Sequence, residues 1–369
     1  MKELRIKDIC DKGSSNLKQK DVEGKEGRYP VFGASGIISH IDTYHQEENY
    51  IAIVKDGSGI GRVTFMPAKS SVIGTMQYIL PKDGFNINYI GYCLQSLDLS
   101  KYKQGAAIPH IYFRDYGERI VKVTEDRNEQ QSIVDYLDSA FAKIDAMKAN
   151  AEKALNEAKA LFQASLKEML EQKEGWEERT LGDLATDMYR GSGIRRDQVT
   201  KEGTPCVRYG EIYTTYNVGF DTCVSHTKEE YISSPKYFEH GDLLFAITGE
   251  SVEDIGKTIA YLGNEKCLCG GDIICMKHNQ NPKFLAYALT TPEAIRQKGL
   301  GKTKLKVVHT NAPALKAISI PVPSLSEQQS IVATLDSLKS KVDRLQANFD
   351  KMSQECDALK QAILRQVFE

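Results

Sequence analysis

A six-residue string that occurs twice constrains the fold of this chain more than any other feature. Glu-Gln-Gln-Ser-Ile-Val fills residues 129–134 and returns at residues 327–332. Each copy leads to a Leu-Asp pair and a long stretch without proline or glycine, and a long Gly- and Tyr-rich segment precedes it. Solenoid repeats have periods of only about 20–50 residues. We therefore interpret the chain as two tandem copies of one unit, a globular domain followed by a long helix.

Both segments that begin with the repeated string have the apolar spacing of coiled-coil helices. In the second segment, apolar residues follow in steps of three and four, as at heptad positions a and d; they are Leu335, Leu338, Val342, Leu345, Phe349, Met352, Cys356, Leu359 and Ile363. The first segment has a looser version of this pattern, from Leu137 to Met169. Since neither apolar seam is stable in water alone, we expect the helices to pack as an antiparallel coiled coil. Two separate surface helices are the alternative.

Capping residues indicate where the helices begin and end. Ser326 with Gln329, and Asn128 with Gln131, have the spacing of a capping box. Gly175 is expected to end the first helix. We therefore predict four segments, which are a domain at 1–125, a helix at 126–175, a domain at 176–324 and a helix at 325–369.

The globular segments have the composition of mixed α/β domains. Strand-like stretches occur in the same order in both; they are residues 50–55, 62–66 and 76–81, then 242–248, 258–262 and 273–277. The stretches SSVIGTMQYILPK and KCLCGGDIICMKH line up loosely with each other. The predicted fold class is α/β, with two tandem mixed α/β domains separated by the helices and related as a pseudo-two-fold internal repeat.

Composition and charge limit the classes of protein to consider. The 369 residues can form two cores, and the formal net charge of −2 excludes a uniformly basic nucleic-acid-binding chain. No apolar run is long enough to cross a membrane, and the N-terminal residues lack the apolar core of a signal peptide. Eight cysteines without regular spacing are typical of a reducing compartment, so we expect a cytoplasmic protein.

Several short patterns, taken in their order, resemble the specificity (S) subunit of type I restriction-modification systems. They are the N-terminal ELRIKDI and its repeat GWEERTLGDL, the GAAIPHI loop at 105–111, the IPVPSLSEQQ segment at 320–329, and the two helices that begin with EQQ. These features span the whole chain. The first domain departs from the pattern. The segment that leads from it into its helix reads VTEDRNEQQ and lacks the prolines found in the corresponding segment of the second domain.

The resemblance implies two target recognition domains, each of which reads one half of a bipartite site in double-stranded DNA. It also implies that two modification (methyltransferase) subunits and, in the restriction complex, motor-nuclease restriction subunits assemble around the chain. S-adenosylmethionine would be bound by the methyltransferase partner, so no cofactor is expected in this chain. The alternatives are a coiled-coil adaptor whose domains bind protein, and the recognition part of a fused restriction–modification enzyme.

The sequence contains no motif that predicts catalysis. A P-loop ending at Lys302 and Thr303 would require glycine where the chain has Arg296, and residues 57–61 lack the GxGxxG spacing. The Asn-Pro-Pro-aromatic element of DNA methyltransferases is absent from the sequence. We therefore expect a chain that recognises DNA without modifying it.

Four residues of the second domain raise the question of a zinc site. They are Cys267, Cys269, Cys275 and His278. Their spacing is not that of Cys-x2-Cys zinc motifs, and the corresponding stretch of the first domain has no cysteine. Buried strand cysteines are the better explanation, so no metal site is predicted.

Local excess of basic residues identifies candidate DNA contacts, because neutralisation of phosphates dominates DNA affinity. Between Ala294 and Ser326 there are six basic residues, including Arg296 and Lys298, and no acidic ones. A second basic stretch covers residues 190–208. The candidate DNA-binding residues are Lys55, Arg62, Lys103, Gln104, His110, Arg114, Arg190, Arg195, Arg196, Arg208, Lys302, Lys304, Lys306 and His309.

Overall fold

The computed structural model describes residues 1–105, 109–301 and 307–369. The chain divides into two compact units: unit 1 contains Met1–Lys153 and Ala347–Glu369, and unit 2 contains Ala154–Gln346. Two long helices each contribute one part to each unit. The chain therefore has the predicted architecture of two mixed α/β domains associated with two long helices.

Unit 1 is built from two small sheets and one strand pair. Its strands are β1 (Lys2–Arg5), β2 (Cys10–Ser14), β3 (Tyr29–Gly33), β4 (Gly36–Ile41), β5 (Tyr50–Val54), β6 (Val63–Met66), β7 (Ser71–Val72), β8 (Met76–Pro81) and β9 (Ile120–Val123). Its helices are α1 (Ile6–Ile9), α2 (Gln19–Val22), α3 (Ile87–Gln95), α4 (Phe113–Tyr116), the first part of α5 (Arg127–Leu170) and the last part of α11 (Leu325–Phe368), with a 3-10 helix at Leu99–Tyr102. The sheets have the orders β2-β8-β5-β6 and β4-β3-β7, and β1 pairs with β9.

Unit 2 repeats this plan with additional strands. Its strands are β10 (Glu177–Thr180), β11 (Ala185–Arg190), β12 (Val199–Thr200), β13 (Thr204–Val207), β14 (Gly219–Phe220), β15 (Ser225–Thr227), β16 (Tyr237–Phe238), β17 (Leu243–Ala246), β18 (Thr248–Gly249), β19 (Thr258–Tyr261), β20 (Cys267–Cys269), β21 (Ile273–His278), β22 (Val308–His309) and β23 (Ser319–Val322). Its helices are the last part of α5, α6 (Leu181–Leu184), α7 (Tyr209–Thr214), α8 (Pro282–Ala288), α9 (Pro292–Gly299), α10 (Ala312–Lys316) and the first part of α11 (Leu325–Phe368), with 3-10 helices at Arg196–Gln198 and Glu229–Tyr231. The two sheets have the orders β11-β21-β17-β19-β14 and β12-β15-β13-β20-β16.

The two units share one strand order, which is the structural form of the sequence duplication. The order β2-β8-β5-β6 corresponds to β11-β21-β17-β19, and β4-β3-β7 corresponds to β15-β13-β20. The pairing of β3 with β7 is parallel, as is that of β13 with β20. Each of the six predicted strands is present within two residues of its predicted bounds.

The register of the sheets gives a residue-by-residue equivalence between the units. Met76 pairs with Val54 in unit 1, and Ile273 pairs with Ala246 in unit 2. Met76 therefore corresponds to Ile273 in the structure. When the two sequence stretches are set side by side, Met76 instead falls opposite Asp272, one residue earlier. A shift of one residue matters here, because successive side chains of a strand point to opposite faces of the sheet.

The second residue of the repeated string docks each long helix on its own domain. Gln130 and Gln328 are both fully buried. The side chain of Gln130 accepts a hydrogen bond from the backbone N–H of Asn86 (2.7 Å), and that of Gln328 accepts one from Asn281 (2.9 Å). Asn86 and Asn281 are in turn the N-caps of α3 and α8. Because buried amides are almost always hydrogen-bonded, the repeated string fixes where the short helix and the long helix meet.

The Leu-Asp pair after each string continues this docking. The leucines of both pairs are fully buried. The aspartates accept hydrogen bonds from tyrosine hydroxyls of the short helices, Asp138 from Tyr92 on α3 and Asp336 from Tyr287 on α8 (2.9 Å). The duplicated sequence therefore encodes one helix–domain joint that is used twice.

In unit 1, α5 and α11 run antiparallel. Lys360 donates a hydrogen bond to Asp145 (2.5 Å), and Lys148 lies 3.6 Å from Asp357, so that positions rise along one helix as they fall along the other. At the end of α11, Phe368 is buried in the core of the unit. The predicted antiparallel pairing is therefore confirmed in this unit.

The same helices pair within unit 2. The Nζ of Lys159 donates to Oε1 of Gln346 at 2.7 Å. Phe162 and Leu166 from α5 join Leu335 from α11 in the hydrophobic core. Within the described residues, no helix is both long and apolar enough to span a membrane.

The N-terminus of α11 differs from the predicted one. The N-cap is Ser324, not Ser326, and the helix begins at Leu325. The backbone N–H of Ser324 donates to Oε2 of Glu327 (3.2 Å), and the N–H of Glu327 donates to Oγ of Ser324 (3.4 Å). This reciprocal pair is a capping box with a carboxylate at the third helical position. The negative charge of Glu327 also suits a helix N-terminus, which favours the earlier serine.

The ends of α5 also differ from the predicted ones. Asp126, not Asn128, accepts the first backbone bond, from the N–H of Asn128 at 2.8 Å. The helix ends at Leu170, before Gly175. Gly175 has a φ of 83° and lies in the turn that follows, where a positive φ requires glycine.

Candidate nucleic-acid interface

Four of the predicted arginines line one open cavity of unit 2, which we call the arginine cavity. Its volume is about 1200 Å³, and its lining includes Arg190, Arg195, Arg196 and Arg208. Lys236, from the loop before β16, adds a fifth cationic side chain. The structure therefore gathers the four arginines of the second basic stretch on one concave surface.

Glycines allow the strand ends at this cavity to approach each other closely. A Cβ on Gly191 would lie 2.2 Å from the carbonyl oxygen of Gly270, and a Cβ on Gly270 would lie 2.6 Å from that of Val207. The backbone N–H of Ser192 donates to the carbonyl of Cys269 at 2.8 Å. Side chains at either glycine would separate these strand ends, so the glycines set the position of the loop that carries the arginines.

Arg208 is oriented by a buried carboxylate. Glu211 is 8% exposed and accepts hydrogen bonds from the backbone N–H of Arg208 (3.0 Å) and from its Nε (3.3 Å). The hydroxyl of Ser225 donates to the same carboxylate at 2.7 Å. The terminal guanidinium nitrogens of Arg208 make no hydrogen bond with a described residue, and they are the donors available to a ligand.

Arg190 is fixed at the end of β11. Its Nε donates to the carbonyl of Gly271, and its Nη2 lies 2.8 Å from Oδ1 of Asp272. The side chain is nevertheless exposed. Arg190 is thus a second guanidinium whose direction is set by the protein before any ligand binds.

The remaining cations of the arginine cavity are not neutralised. Arg195, Arg196 and Lys236 are exposed, and none of them forms an ion pair with a described carboxylate. The two carboxylates that line the cavity, Glu211 and Asp272, are already engaged by arginines. The surface therefore has excess positive charge, which attracts the phosphates of nucleic acid.

The other basic stretch of unit 2 contributes less than its sequence indicates. Lys298 is only 6% exposed, its Nζ donates to the carbonyl of Leu289 (2.8 Å), and burial lowers its pKa to about 7. Lys298 is therefore a core residue and not a surface charge. Arg296 forms an ion pair with Glu293 at 2.6 Å. Three predicted residues of this stretch lie outside the described residues: Lys302, Lys304 and Lys306.

Two of the unit 1 candidates meet at one carboxylate. The Nδ1 of His110 lies 2.6 Å from Oδ1 of Asp56, and the Nζ of Lys55 lies 3.5 Å from Oδ2 of the same residue. In unit 2, the candidate His309 is exposed and its Nδ1 lies 3.2 Å from Oγ1 of Thr248, but it does not line the arginine cavity. His309 is therefore separate from the arginine cavity within unit 2.

A second carboxylate of unit 1 holds two further candidates. Gln104 donates from Nε2 to Oδ2 of Asp115 (2.8 Å), and Nε of Arg114 lies 3.6 Å from its Oδ1. The guanidinium of Arg114 also stacks over the ring of Tyr112 at 4.6 Å. Gln104 and His110 exchange two backbone hydrogen bonds of 2.8 Å, so these four candidates form one surface.

The last two unit 1 candidates make other hydrogen bonds. Arg62 donates from Nη1 to the carbonyl of Ala34 at 3.0 Å. Lys103 is exposed, and its backbone N–H donates to the carbonyl of Ser100. The role of the unit 1 candidates in DNA binding stays a prediction.

Sequence reasoning missed the groups that orient the arginines. Glu211 and Asp272 are isolated acidic residues, and the sequence does not show that they meet Arg208 and Arg190. Lys236 was also missed, because it lies outside both basic stretches. The sequence contains a signal for one of these contacts, because Glu211 lies three residues after Arg208, which is the spacing of a helical ion pair.

The cysteine-rich strands of unit 2 belong to its hydrophobic core. Cys267, Cys269 and Cys275 are free thiols with no solvent exposure. Burial raises the pKa of the Cys269 and Cys275 thiols, which disfavours the thiolate that zinc requires. In the part of the chain that the structure describes, no group of three or more His, Cys, Asp or Glu side chains is placed to hold a metal ion.

Sequence comparison identifies the family of the duplicated unit. The profile of the type I restriction modification DNA specificity domain (Methylase_S) matches residues 1–157 and, a second time, residues 173–348. The chain belongs to this type I specificity family. The two matches coincide with the two copies that the repeated string revealed, so the family domain is the unit that is duplicated.

Two curated relatives of the type I specificity family match part of the chain. A protein of Methanocaldococcus jannaschii, provisionally named the type I restriction enzyme MjaX specificity subunit, is 27% identical over 210 residues, which are 53% of this chain and 46% of that protein. The StySPI specificity subunit of Salmonella potsdam is 24% identical over 199 residues, 52% of this chain and 42% of its own length. The matched part therefore spans about half the length of these relatives.

Solved structures of the type I specificity family share the fold. A chain from a study of complex assembly and conformational transition of the type I R-M system has a TM-score of 0.73, with 17% identity, 98% of this chain covered and 96% of that chain. The HsdS subunit from Thermoanaerobacter tengcongensis has a TM-score of 0.56 at 16% identity, with coverages of 98% and 95%. At these identities the likeness concerns the fold alone.

Proposed function

We propose that this chain is the sequence-specific DNA-recognition subunit of a type I restriction-modification complex and that it catalyses no reaction itself. Each globular domain reads one half of a bipartite site in double-stranded DNA. Because the two domains present different side chains on one scaffold, the site is asymmetric. Membership of the type I specificity family supports this proposal.

The arginine cavity is the observation that carries the proposal. Arg190 and Arg208 are oriented by carboxylates, and an oriented guanidinium can bond to O6 and N7 of guanine in the major groove. Arg195, Arg196 and Lys236 are exposed cations that suit phosphate contacts, which fix the register of a protein on the duplex. An adaptor that binds only protein would not require this combination of two oriented guanidinium groups and three free cations.

The helices α5 and α11 set the spacing between the half-sites in this proposal. Two domains that read the same side of a duplex must have half-site centres about one helical turn, or about 34 Å, apart. The antiparallel pairing within each unit resists bending of either helix alone. The length of the helical pair then determines the non-specific spacer of the DNA site.

The partners of the chain follow from the same proposal. Two modification subunits and, in the restriction complex, restriction subunits assemble on the chain. The modification subunits bind S-adenosylmethionine and carry out methyl transfer. A formal net charge of −2 gives the chain weak affinity for DNA by itself, so the modification subunits also hold the duplex.

A single-molecule methylome tests this function. Cells would express the chain, its cognate methyltransferase subunit, or both. A two-part asymmetric methylated motif that appears only with both proteins is the expected result. A stable complex that methylates no defined motif would contradict DNA recognition and favour the adaptor.

A further inference from the structure

The strands β2 and β11 end at corresponding positions of the two units. Ser14 pairs with Gln77, and Arg190 pairs with Ile274. By the equivalence of β8 and β21, Gln77 corresponds to Ile274, so Ser14 corresponds to Arg190. The residues that follow Ser14 therefore stand where unit 2 has the loop that lines the arginine cavity.

Unit 1 also has an open cavity at this strand end, with a volume of about 620 Å³, which we call the amide cavity. Residues 13–16 and 44–46 line it together with Tyr78. The described lining contains no arginine, lysine or carboxylate. The same place in the fold thus has cationic side chains in unit 2 and neutral polar ones in unit 1.

Hydrogen bonds hold the walls of the amide cavity in place. The backbone N–H of His45 donates to Oγ of Ser71 (2.9 Å), and its Nδ1 lies 3.0 Å from the hydroxyl of Tyr78. The N–H of Gly74 donates to the carbonyl of Leu17 at 2.7 Å, which fixes the loop after β2. These hydrogen bonds hold the backbone of the cavity walls in a fixed geometry, as a recognition surface requires.

Two carboxamides remain available on these ordered walls. Asn16 is exposed and Gln46 is half-buried. Neither side chain makes a hydrogen bond with a described residue. A carboxamide offers one donor group and one acceptor, which match the N6 amino group and N7 of adenine. It carries no charge, so it gains little from phosphate and is suited to bases.

We infer that Asn16 and Gln46 are the base-reading side chains of unit 1 and that they contact an A·T pair in the major groove. The inference rests on the proposed function and deepens it, because it assigns a chemistry to the half-site of unit 1. The basic cluster around Asp56 and Asp115 then serves phosphate contacts. Unit 1 reads adenine with amides, whereas unit 2 reads guanine with arginines.

The test uses the complete complex with its cognate methyltransferase and the variants Asn16→Ala and Gln46→Ala. Methylomes identify any motif position that becomes degenerate. Binding of the wild-type site is then compared with binding of duplexes in which each A·T pair is replaced by G·C. Loss of one bidentate contact should reduce discrimination at one A·T position by roughly 5- to 150-fold. Asn88→Ala, an exposed asparagine on α3, is the matched control.

The expected result is relaxed reading in one half of the motif only, with the half that depends on Arg208 unchanged. Unaltered motifs and unaltered discrimination in both variants, while the wild type has a two-part motif, would overturn the inference and leave the proposed function standing. A wild-type complex without any motif would overturn both. Thermal unfolding of each variant establishes that the domain remains folded.

Discussion

His110 of unit 1 and His309 of unit 2 occupy the same position in the two copies of the fold. Each pairs with the residue two positions after a central strand, His110 with Asp56 and His309 with Thr248. In both units the ring Nδ1 meets the side-chain oxygen of that residue, at 2.6 Å and 3.2 Å. The two units therefore share one histidine position although their other candidate residues differ. Under the proposed function, this suits a contact that both half-sites have in common.

Replacing either histidine should weaken DNA binding without changing the motif. The common partner of two different half-sites is the phosphate backbone, and a hydrogen bond to a charged group contributes about 1.5–3 kcal/mol. We expect His110→Ala and His309→Ala each to lower the affinity of the full complex by roughly 10- to 150-fold, measured by equilibrium binding to a duplex with the site. A degenerate position in the methylome of either variant would show that the histidine reads a base.

Removing the buried amide of the repeated string should destabilise unit 2. Gln328→Ala leaves the N–H of Asn281 without its partner, at a cost of about 1–3 kcal/mol in the free energy of unfolding. Gln329→Ala changes the exposed neighbour and should alter it by less than about 0.5 kcal/mol. Urea unfolding followed by fluorescence of Trp176, the single tryptophan, reports on this unit. Equal effects of the two substitutions would refute the docking role.

The buried Lys298 should make the stability of unit 2 depend on pH. Burial lowers its pKa to about 7 in the folded state, below its unfolded value of about 10.4. Between these pH values the unfolded chain binds more protons, so the free energy of unfolding rises with pH. Lys298→Met should therefore stabilise the unit most below pH 7, and the gain should fade towards pH 10. A difference in Tm between variant and wild type that is constant from pH 6 to 10 would contradict this.

Lengthening the helical pair should lengthen the DNA spacer. Four residues inserted after Lys153 in α5 and four after Gln346 in α11 add about 6 Å of helix. This length corresponds to about two base pairs, at about 3.4 Å each. The methylated motif should keep both halves and gain one or two positions between them. Alanine substitutions at the same sites, without insertion, are the control. Methylation of a motif with an unchanged spacer would refute the proposal that the length of the helical pair determines the spacer.

The helices and strands could be predicted because their signals are local. The three–four spacing from Leu335 onward predicted α11, and the duplicated string predicted that each domain is followed by a long helix. The docking of Gln130 and Gln328 on the domains was seen only in the structure. The cap of α11 was misplaced by two residues, because Ser324 and Ser326 compete for it. The reach of the Glu327 carboxylate decides between them, and that depends on backbone geometry.

The candidate site could be predicted only where charge marks it. Four arginines within one stretch predicted DNA contacts there. The cavity that they line was not predicted, because it depends on the pairing of β13 with β20, which joins residues far apart in sequence. Asn16 and Gln46 carry no charge, so the search for basic stretches did not predict them. Only the equivalence of Ser14 and Arg190 in the two sheets identifies them.

The central claim is that each unit reads its own half of the site, and Arg208→Lys tests it most directly. The lysine keeps the positive charge but loses the planar fork that Glu211 orients. Methylomes of cells that express the wild-type or variant chain with the cognate methyltransferase are compared. We predict that one position in one half of the motif becomes degenerate and that the other half is unchanged. Degeneracy in both halves, or in neither, would contradict the account.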